Sequence, residues 1–388
     1  MMNPIRYNMR SLMVRKATTL AAAVGVGLVV SVLAGALMLS DGVSRTMGQA
    51  GRDDVAIVLR KDSDAELGSG VDDPQVGLIK AMAGVKRENN EPIGSGEVVV
   101  VATMDKVGAE GISNVQIRGV EENVLSLRPD VKVVSGRLPT PGADEVMVGA
   151  RIHGRFKGLE LGERFDLKKN RPVTVVGVFE ASGSAHESEI WVDKDVLRTS
   201  YGREGAVSSV RVVLESPSSF DSFKAAVEQD KRLGLMAQRD TEYYEKQGQG
   251  TSVFITALGG IVAFFFSIGA MIGATITMYA SVANRRREIG TLRALGFSRF
   301  CTLLSFLAES TLLSVIGGIL GTLAALALGS VRFSMLNYAS WSEMVFEFRP
   351  TPNILATALV AALTMGILGG LLPAVRAART SALAALKG

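Results

Sequence analysis

The sequence predicts a membrane α-helical fold with four transmembrane helices and a large α+β extracytoplasmic domain of two lobes between helices 1 and 2. Three observations support this prediction. The apolar residues are segregated into four runs, each about 20 residues or longer, which is the length a helix needs to cross a bilayer. The residues between the first two runs are polar enough for an aqueous domain, and basic residues concentrate on one side of the predicted topology.

The four apolar runs define the predicted transmembrane helices, which cover 17–39, 252–280, 302–330 and 353–375. The first run is longer than the core of a signal peptide, about 7–15 residues, so we expect it to be retained as a span. The third run contains one charged residue, Glu309. Glu309 either belongs to a proton or ion relay or is an acid that snorkels or pairs with an arginine of the neighbouring loop. A relay usually needs several such groups, which favours the second interpretation.

The charges predict the orientation of these helices. Residues 1–16 carry four basic residues and no acid, and residues 281–300 carry five arginines and one acid. Residues 41–251 instead hold 28 Lys and Arg against 34 Asp and Glu. The positive-inside rule therefore places both termini and the 281–301 loop in the cytoplasm and the large domain outside. The same rule accounts for the net charge of +4, so we expect no nucleic-acid partner.

The predicted spans and their orientation define the remaining segments. Residues 1–16 mix apolar and basic residues and predict a cytoplasmic amphipathic N-terminus. The domain 40–251 contains short β-branched runs separated by Gly, Pro or Asp, which predict α+β structure, with an inserted lobe at 135–187. Residues 240–251 predict a stalk that continues into the second span as one long helix. The outer loop 331–352 is rich in aromatic residues typical of a membrane interface, and 376–388 is a basic cytoplasmic tail.

Catalytic motifs are missing from the sequence. It contains no GxxxxGK[ST] phosphate loop, no HExxH and no GxSxG, and its only histidines are His153 and His186. The single cysteine, Cys301, excludes an intramolecular disulfide. We therefore expect a non-catalytic protein with no catalytic residue, no metal site and no cofactor of its own.

Small residues recur at four-residue spacing within three of the spans. This spacing lets helix backbones approach closely in lipid. We therefore expect helix packing at the three glycine pairs Gly269 and Gly273, Gly317 and Gly321, and Gly366 and Gly370.

The loop 281–301 predicts a short amphipathic helix between two spans. Ile289, Leu292 and Leu295 recur at intervals of three and form a narrow apolar stripe, while Arg286 and Arg293 present charge elsewhere. Such a helix is suited to docking into a groove on a cytoplasmic partner. The alternative is a basic loop that only fixes the topology.

This loop resembles the signature of the MacB/FtsX-type permeases of ABC transporters, a mechanotransmission family that includes lipoprotein-releasing permeases. The family pattern is approximately ERRREIGxLRAxGxSR, and this chain matches it closely, with Asn284 where the family usually has an acidic or polar residue. The run 372–379, LPAVRAAR, resembles a second family signature, PAxRAAR. The order of one span, a large outer domain and three further spans also matches the family.

The resemblance implies a coupling helix that seats on a separate cytoplasmic ABC ATPase subunit, which would bind ATP and Mg. The residues it implies for this contact are Arg286, Arg287, Glu288, Ile289, Gly290, Leu292, Arg293, Ala294, Gly296 and Phe297. It also implies a dimer with a second copy or a homologous permease through the first two spans, located in a bacterial inner membrane. ATP-driven closure of the ATPase pair would then be relayed along the stalk, without substrate passing between the spans.

Two functions are consistent with this resemblance. The first is export or extraction of a substrate at the outer face of the inner membrane, with membrane lipid and a periplasmic membrane-fusion protein as further partners. The second is an FtsX-like signalling module that regulates an extracytoplasmic partner, such as a cell-wall hydrolase, without transporting anything. The large predicted outer domain favours the first. The sequence does not identify the substrate.

Overall fold

The computed structural model describes residues 16–108, 110–230, 232–337 and 340–380. The predicted amphipathic segment 1–16, except its last residue, and the tail beyond 380 lie outside the described residues. The described chain divides into two compact units. A helical unit takes 16–42, 252–331 and 347–380, and an α+β domain takes 43–251 and 332–346.

Nine helices and sixteen strands are numbered here in chain order within the described residues. The helices are α1 (Lys16–Gly48), α2 (Asp73–Ala81), α3 (Val124–Leu127), α4 (Lys194–Tyr201), α5 (Phe220–Gln229), α6 (Asp240–Asn284), α7 (Arg286–Ala294), α8 (Arg299–Leu328) and α9 (Pro352–Arg379). The strands are β1 (Val55–Arg60), β2 (Val71–Asp72), β3 (Arg87–Glu88), β4 (Glu91–Pro92), β5 (Gly94–Asp105), β6 (Ile112–Val120), β7 (Lys132–Gly136), β8 (Glu145–Gly149), β9 (Arg164–Lys168), β10 (Arg171–Glu180), β11 (Glu189–Asp193), β12 (Ala206–Val207), β13 (Ser209–Val213), β14 (Leu235–Arg239), β15 (Arg332–Asn337) and β16 (Ser342–Glu347).

Four helices, α1, α6, α8 and α9, are long and apolar enough to cross a membrane, which makes this a multi-pass membrane protein. α1 continues to Gly48, beyond the predicted end of the first span at residue 39. α6 begins at Asp240 and runs without a break to Asn284. Its 45 residues, at about 1.5 Å rise each, exceed the length needed for one crossing, because its first turns belong to the α+β domain.

The four long helices share one apolar core in the helical unit. Val30 and Met38 of α1 are fully buried there against Ala263 of α6, Ala325 of α8 and Ala362 of α9. α1 and α6 are also joined by a polar contact, in which the Ser40 hydroxyl lies 2.6 Å from the Ser252 hydroxyl. A hydroxyl pair of this kind satisfies polar groups that lipid cannot solvate.

The α+β domain is built on one sheet of ten strands in the order β14-β1-β13-β5-β6-β11-β8-β10-β7, with β9 also paired to β10. The twelve-residue strand β5 joins its two halves, because its first four residues pair with β13 and the following eight pair with β6. Most pairs are antiparallel, whereas β6–β11 and β8–β10 are parallel. The segment 135–187, predicted as an inserted lobe, contributes strands to one end of this same sheet.

Both faces of the central strands are buried. Val98, Ile117 and Val210 point to one face, where they form the main apolar core with α2, α4 and α5. Alternation along a strand places the intervening residues on the other face. These include charged residues such as Arg118 and Arg211, and both have only 1% of their surface exposed.

The outer loop contains two paired strands. β15, residues 332–337, and β16, residues 342–347, form the hairpin β15–β16. Val345 joins the main core of the α+β domain, and Phe346 is 1% exposed. Glu343 forms ion pairs with Lys106 at 2.6 Å and with Arg155 at 3.2 Å. These contacts attach β16 to the α+β domain. Phe333 and Trp341 are exposed, at 41% and 57%, so the predicted aromatic interface stays a prediction; Tyr338, in the same loop, lies outside the described residues.

Candidate functional site

The loop between the second and third spans forms the short helix α7. α6 ends at Asn284, and Arg285 breaks the helical path with φ −107° and ψ 15° before α7 begins. The Ile289 amide nitrogen then donates to the Arg285 carbonyl oxygen at 3.0 Å, which starts the first turn. α7 is therefore a separate nine-residue helix with its own direction rather than an extension of α6.

α7 is anchored to the helical unit by one apolar side chain. Ile289 is 3% exposed and lies in a buried cluster with Met278, Val282, Phe306 and Ala377. The predicted apolar stripe of α7 is therefore divided between two environments. Ile289 holds the helix in place, and only the other members of the stripe remain accessible for docking.

The next member of the apolar stripe, Leu292, and two residues of the turn after α7 carry exposed apolar side chains. Leu292 is 41% exposed, Leu295 72% and Phe297 53%. The turn is shaped by Gly296, whose φ of +94° favours glycine, and by the Arg293 Nη1, which donates to the Phe297 carbonyl oxygen at 3.0 Å. Of the other residues implied for coupling, Gly290 is buried beside Ile289, whereas the rest are exposed: Arg286, Arg287, Glu288, Ala294 and Gly296.

Arg285 and Glu309 form a polar contact at the junction of α6 and α7. The Arg285 Nη1 donates to the Glu309 Oε2 at 3.0 Å, and the Arg285 Nε donates to the Glu288 Oε2 at 3.1 Å. The Arg285 guanidinium also lies 5.4 Å from the ring centroid of Phe306. The pairing expected for Glu309 with an arginine of the neighbouring loop is therefore present, and it holds the start of α7 against α8.

Four of the six predicted packing glycines lie against neighbouring helices. A Cβ built on Gly317 would lie 2.6 Å from the Ala23 carbonyl oxygen, and one on Gly321 would lie 2.7 Å from the Val30 Cβ, so α8 meets α1 without room for a methyl group. Gly366 and Gly370 of α9 face serines of α8 in the same way. The Ser310 hydroxyl also donates to the Gly366 carbonyl oxygen at 2.7 Å.

The remaining pair, Gly269 and Gly273, faces open space. A Cβ built on either glycine meets no atom within 4 Å among the described residues. In the most apolar stretch of α6, 6% of the residues are buried, compared with 39–44% in the corresponding stretches of α1, α8 and α9. Packing at Gly269 and Gly273 therefore stays a prediction.

The α+β domain contains a buried group of charged residues that the sequence did not predict. We call it the ionic cluster, and its members are Glu66, Glu97, Arg118, Arg128, Glu189, Arg211 and Asp240. All seven are at most 4% exposed. The Arg118 guanidinium bonds to Glu66 at 2.9 Å, Glu97 at 2.8 Å and Glu189 at 2.7 Å. The Arg211 guanidinium bonds to Glu66, Glu97 and also Asp240, at 2.6–3.0 Å.

The arginines keep the buried carboxylates ionised. Burial alone would raise the pKa of Glu97, but the positive charges of Arg128, Arg211 and Arg118 outweigh it and lower the pKa to about 2. Burial likewise opposes ionisation of Glu66, and Arg118 and Arg211 hold the pKa of its carboxyl below its usual range. Conversely, the acids raise the pKa of the Arg211 guanidinium against the effect of burial. Glu66, Glu97 and Arg211 are therefore charged at neutral pH.

The described part of the chain offers no site for a metal. Among these residues, no group of three or more His, Cys, Asp or Glu side chains is placed to hold an ion. The ionic cluster pairs its acids with arginines, which leaves their oxygens engaged.

Comparison with protein families identifies two matching profiles. Residues 17–230, more than half of the chain, match the MacB-like periplasmic core domain. Residues 260–382 match the FtsX-like permease C-terminal domain, which includes α7. The residues between the two matches, 231–259, include β14 and the first part of α6.

Comparison with curated proteins gives relatives of both kinds. The ABC transporter permease YknZ of Bacillus subtilis is 24% identical, and the match covers 99% of this chain and 96% of that protein. The macrolide export ATP-binding/permease protein MacB of Rhodospirillum rubrum is 32% identical over 57% of this chain, but the match spans only 34% of its own length. Among solved structures, the periplasmic region of MacB from Actinobacillus actinomycetemcomitans is 11% identical over 51% of this chain and 94% of that one, with a TM-score of 0.38.

Proposed function

We propose that the protein couples a separate cytoplasmic ATPase to motion of its α+β domain. The premise is its family: the chain belongs to the FtsX-like ABC transporter permeases with a MacB-like periplasmic core domain. The observation that carries the proposal is α7. It is fixed to the helical unit by Ile289 and presents Leu292, Leu295 and Phe297 outward. Exposed apolar side chains on an anchored helix are what a groove on a partner protein can bind.

We place the protein in a bacterial inner membrane, with both termini and α7 in the cytoplasm and the α+β domain in the periplasm. The excess of arginine in the 281–301 loop supports this orientation. The name of the YknZ relative, a permease matched along nearly its whole length, supports a non-catalytic membrane subunit. ATP and Mg would then be bound by the partner ATPase.

Export or extraction at the outer face of the membrane is the direction we propose. Relatives named as macrolide and pyoverdine exporters support it. The extended sheet and buried core give the α+β domain the size to act on a substrate outside the membrane. The long helix α6, which belongs to both units without a break, is the element that would pass motion from one to the other.

A second permease copy is the partner we propose for α6. The low burial of its apolar window and the open space at Gly269 and Gly273 support a helix–helix contact with another chain. In a Cys301→Ser background, a cysteine at Gly273 should cross-link two copies in native membranes. A cysteine at Leu323 of α8, which is 57% exposed, is the matched control and should not. Equal cross-linking of both would contradict the assignment of α6 to the dimer contact.

The coupling proposal is tested by changing the exposed side of α7. The ATPase that copurifies with the tagged wild-type chain is first identified by photolabelling with an azido-ATP and mass spectrometry. The double variant Leu292→Asp with Leu295→Asp should insert into the membrane normally but no longer copurify with this ATPase. The two leucines do not support the fold, since both are exposed. Charge reversal of Arg293 would be less specific, because this side chain also ends α7.

The control variant is Leu78→Asp, because Leu78 is a similarly exposed leucine, 55%, on α2 of the α+β domain. It places an aspartate on an exposed helix position without touching α7, so it should retain the ATPase. If the α7 variant retains the ATPase and stimulates its hydrolysis as well as the wild type does, the coupling function of α7 is wrong.

A further inference from the structure

Three segments connect the α+β domain covalently to the helical unit. They are the end of α1, residues 43–48, the start of α6, residues 240–251, and the hairpin β15–β16. Motion of the transmembrane helices can reach the sheet through these covalent connections. How each of them is held to the sheet therefore decides whether motion is passed on or absorbed.

Arg211 on β13 holds the start of α6. Its Nε donates to the Asp240 Oδ1 at 3.0 Å, and its Nη2 donates to the Tyr244 hydroxyl at 3.1 Å. Its Nη1 donates to Glu66 at 2.6 Å and to Glu97 of β5 at 2.8 Å. One planar guanidinium thus contacts the first two turns of α6 on one side and acids of the α+β domain on the other.

The neighbouring Tyr243 makes a parallel contact. Its hydroxyl accepts a hydrogen bond from the Glu66 backbone amide at 3.1 Å, and Tyr243 and Tyr244 are each 3% exposed. Glu66 is itself held by Arg118 of β6. The first turns of α6 are therefore attached through the ionic cluster to three adjacent strands of the sheet, β13, β5 and β6.

Arg151, just after β8, holds the other two segments. Its Nη1 donates to the Thr46 hydroxyl of α1 at 3.2 Å and to the Val345 carbonyl oxygen of β16 at 2.9 Å. Its Nε pairs with Glu187 at 3.2 Å. Glu187 in turn accepts the backbone amides of Ala181 at 2.8 Å and Gly183 at 2.7 Å. Arg151 is 6% exposed, so both contacts are shielded from water.

Net stability is a weak reason for placing charges here. The cost of desolvating buried ions is often as large as their attraction, and apolar side chains of similar volume often serve as well. A guanidinium differs from an apolar side chain because its N–H donors point in fixed directions, so it binds acceptors in only a few orientations. Buried arginines therefore specify the position of a segment more sharply than apolar packing does.

From these contacts we propose that Arg151 and Arg211 are positioning residues that fasten all three connecting segments to the sheet, so that displacement of the helices moves the α+β domain as one body. This inference rests on the proposed coupling function and adds the residues through which coupling acts. It assigns the end of α1 and the hairpin to the same task as α6.

The test uses variants that remove one contact each and preserve side-chain shape. Tyr244→Phe removes the hydroxyl that accepts from Arg211, and Thr46→Val removes the one that accepts from Arg151. The control is Tyr201→Phe, which removes a hydroxyl that donates to the Leu167 carbonyl oxygen at 2.9 Å but lies on none of the three segments. Thermal unfolding of each variant reports whether the fold is kept.

Spin labels are attached at Ile112→Cys in a Cys301→Ser background, in the complete complex with its ATPase. The readout is the distance between the labels on the two permease copies, measured without nucleotide and with ATP plus vanadate. Ile112 is 69% exposed and lies in the sheet at the start of β6. We expect the nucleotide-dependent change in distance to be present in the wild type and in Tyr201→Phe. It should be reduced in Tyr244→Phe and in Thr46→Val and reduced further in their double variant, while the bound ATPase is retained. Arg211 keeps its contact with Asp240 in the double variant, and Arg151 keeps its contact with Val345, so a residual change is expected.

The outcomes separate the two claims. If the wild type shows no nucleotide-dependent change, the proposed coupling function itself is wrong. If the wild type shows it and the double variant retains it in full, coupling stands and the role of Arg151 and Arg211 is wrong. If Tyr201→Phe loses the change as strongly as the double variant does, the effect is one of general stability, which also overturns the inference.

Discussion

The contact between α1 and α8 allows a quantitative prediction. A Cβ on Gly317 would lie 2.6 Å from the Ala23 carbonyl oxygen and 2.9 Å from the Val26 Cβ, whereas ordinary contact begins at 3.4 Å. Gly317→Ala must therefore separate the two backbones by the difference, 0.8 Å. Because Val26 and Val30 are buried in this interface, the separation loosens packed side chains. Overpacking of this kind costs about 1–3 kcal/mol.

The higher helix propensity of alanine would stabilise the same variant, so the comparison must cancel this effect. Alanine is favoured over glycine by about 0.8–1.0 kcal/mol in a helix interior. Gly25→Ala in α1 is the matched control, because a Cβ there meets no described atom within 4 Å. The propensity gain is common to both variants, so their difference isolates the overpacking. We expect Gly317→Ala to be less stable than Gly25→Ala by about 2 kcal/mol, roughly a 30-fold change in the folding equilibrium.

The assay is equilibrium unfolding of the purified chain in mixed micelles, with the free energy of unfolding compared between the two alanine variants. Far-UV circular dichroism confirms that both fold before denaturant is added. If the two variants have the same free energy of unfolding, or if Gly317→Ala is the more stable, then α1 and α8 do not meet at the distance described.

Three further predictions concern the α+β domain and the orientation of the chain. Because the pKa of Glu97 falls from 4.5 to about 2 on folding, its contribution to stability is present above pH 4.5 and lost as the pH falls toward 2, so thermal melts should decline across this range and Glu97→Gln should weaken the dependence. Trp191→Ala should cost about 3–5 kcal/mol in urea unfolding because Trp191 is fully buried, whereas Trp341→Ala, at a site 57% exposed, should change stability by less than about 0.5 kcal/mol. Cys301, which is exposed, should react with a membrane-impermeant maleimide in inverted vesicles but not in intact spheroplasts; the reverse pattern would contradict the proposed orientation.

Much of the helical unit could be predicted because its physics is local. A run of about 20 apolar residues without charge has few alternatives to a membrane span, and each backbone polar group is then satisfied within the helix. The glycine pairs at Gly317 and Gly366 carried a further signal, since close helix approach needs residues without a side chain. What the spacing did not specify was the neighbour, which depends on how the helices assemble.

The hairpin β15–β16 was harder to predict for a related reason. Residues 342–346 are all buried, and Val345 joins a core whose other members lie far away in sequence. Read locally, the same aromatic residues fit a membrane interface equally well. The ion pair of Glu343 with Lys106 joins residues more than 200 positions apart, and neither residue identifies the other in the sequence.

The contrast between Glu309 and the ionic cluster shows where inference from sequence ends. Glu309 is conspicuous because it interrupts an apolar run, and its partner Arg285 lies in the nearest loop. Arg211 lies in a strand where Val210 and Val212 already face the main core, so alternation assigns it to the solvent side. Only the start of α6 and the neighbouring acids, brought in by tertiary structure, turn that side into an interior. A charged residue on the second face of a strand therefore predicts a buried ion pair only when another layer is known to cover that face. Here the start of α6, the helix that we propose carries the motion, covers it.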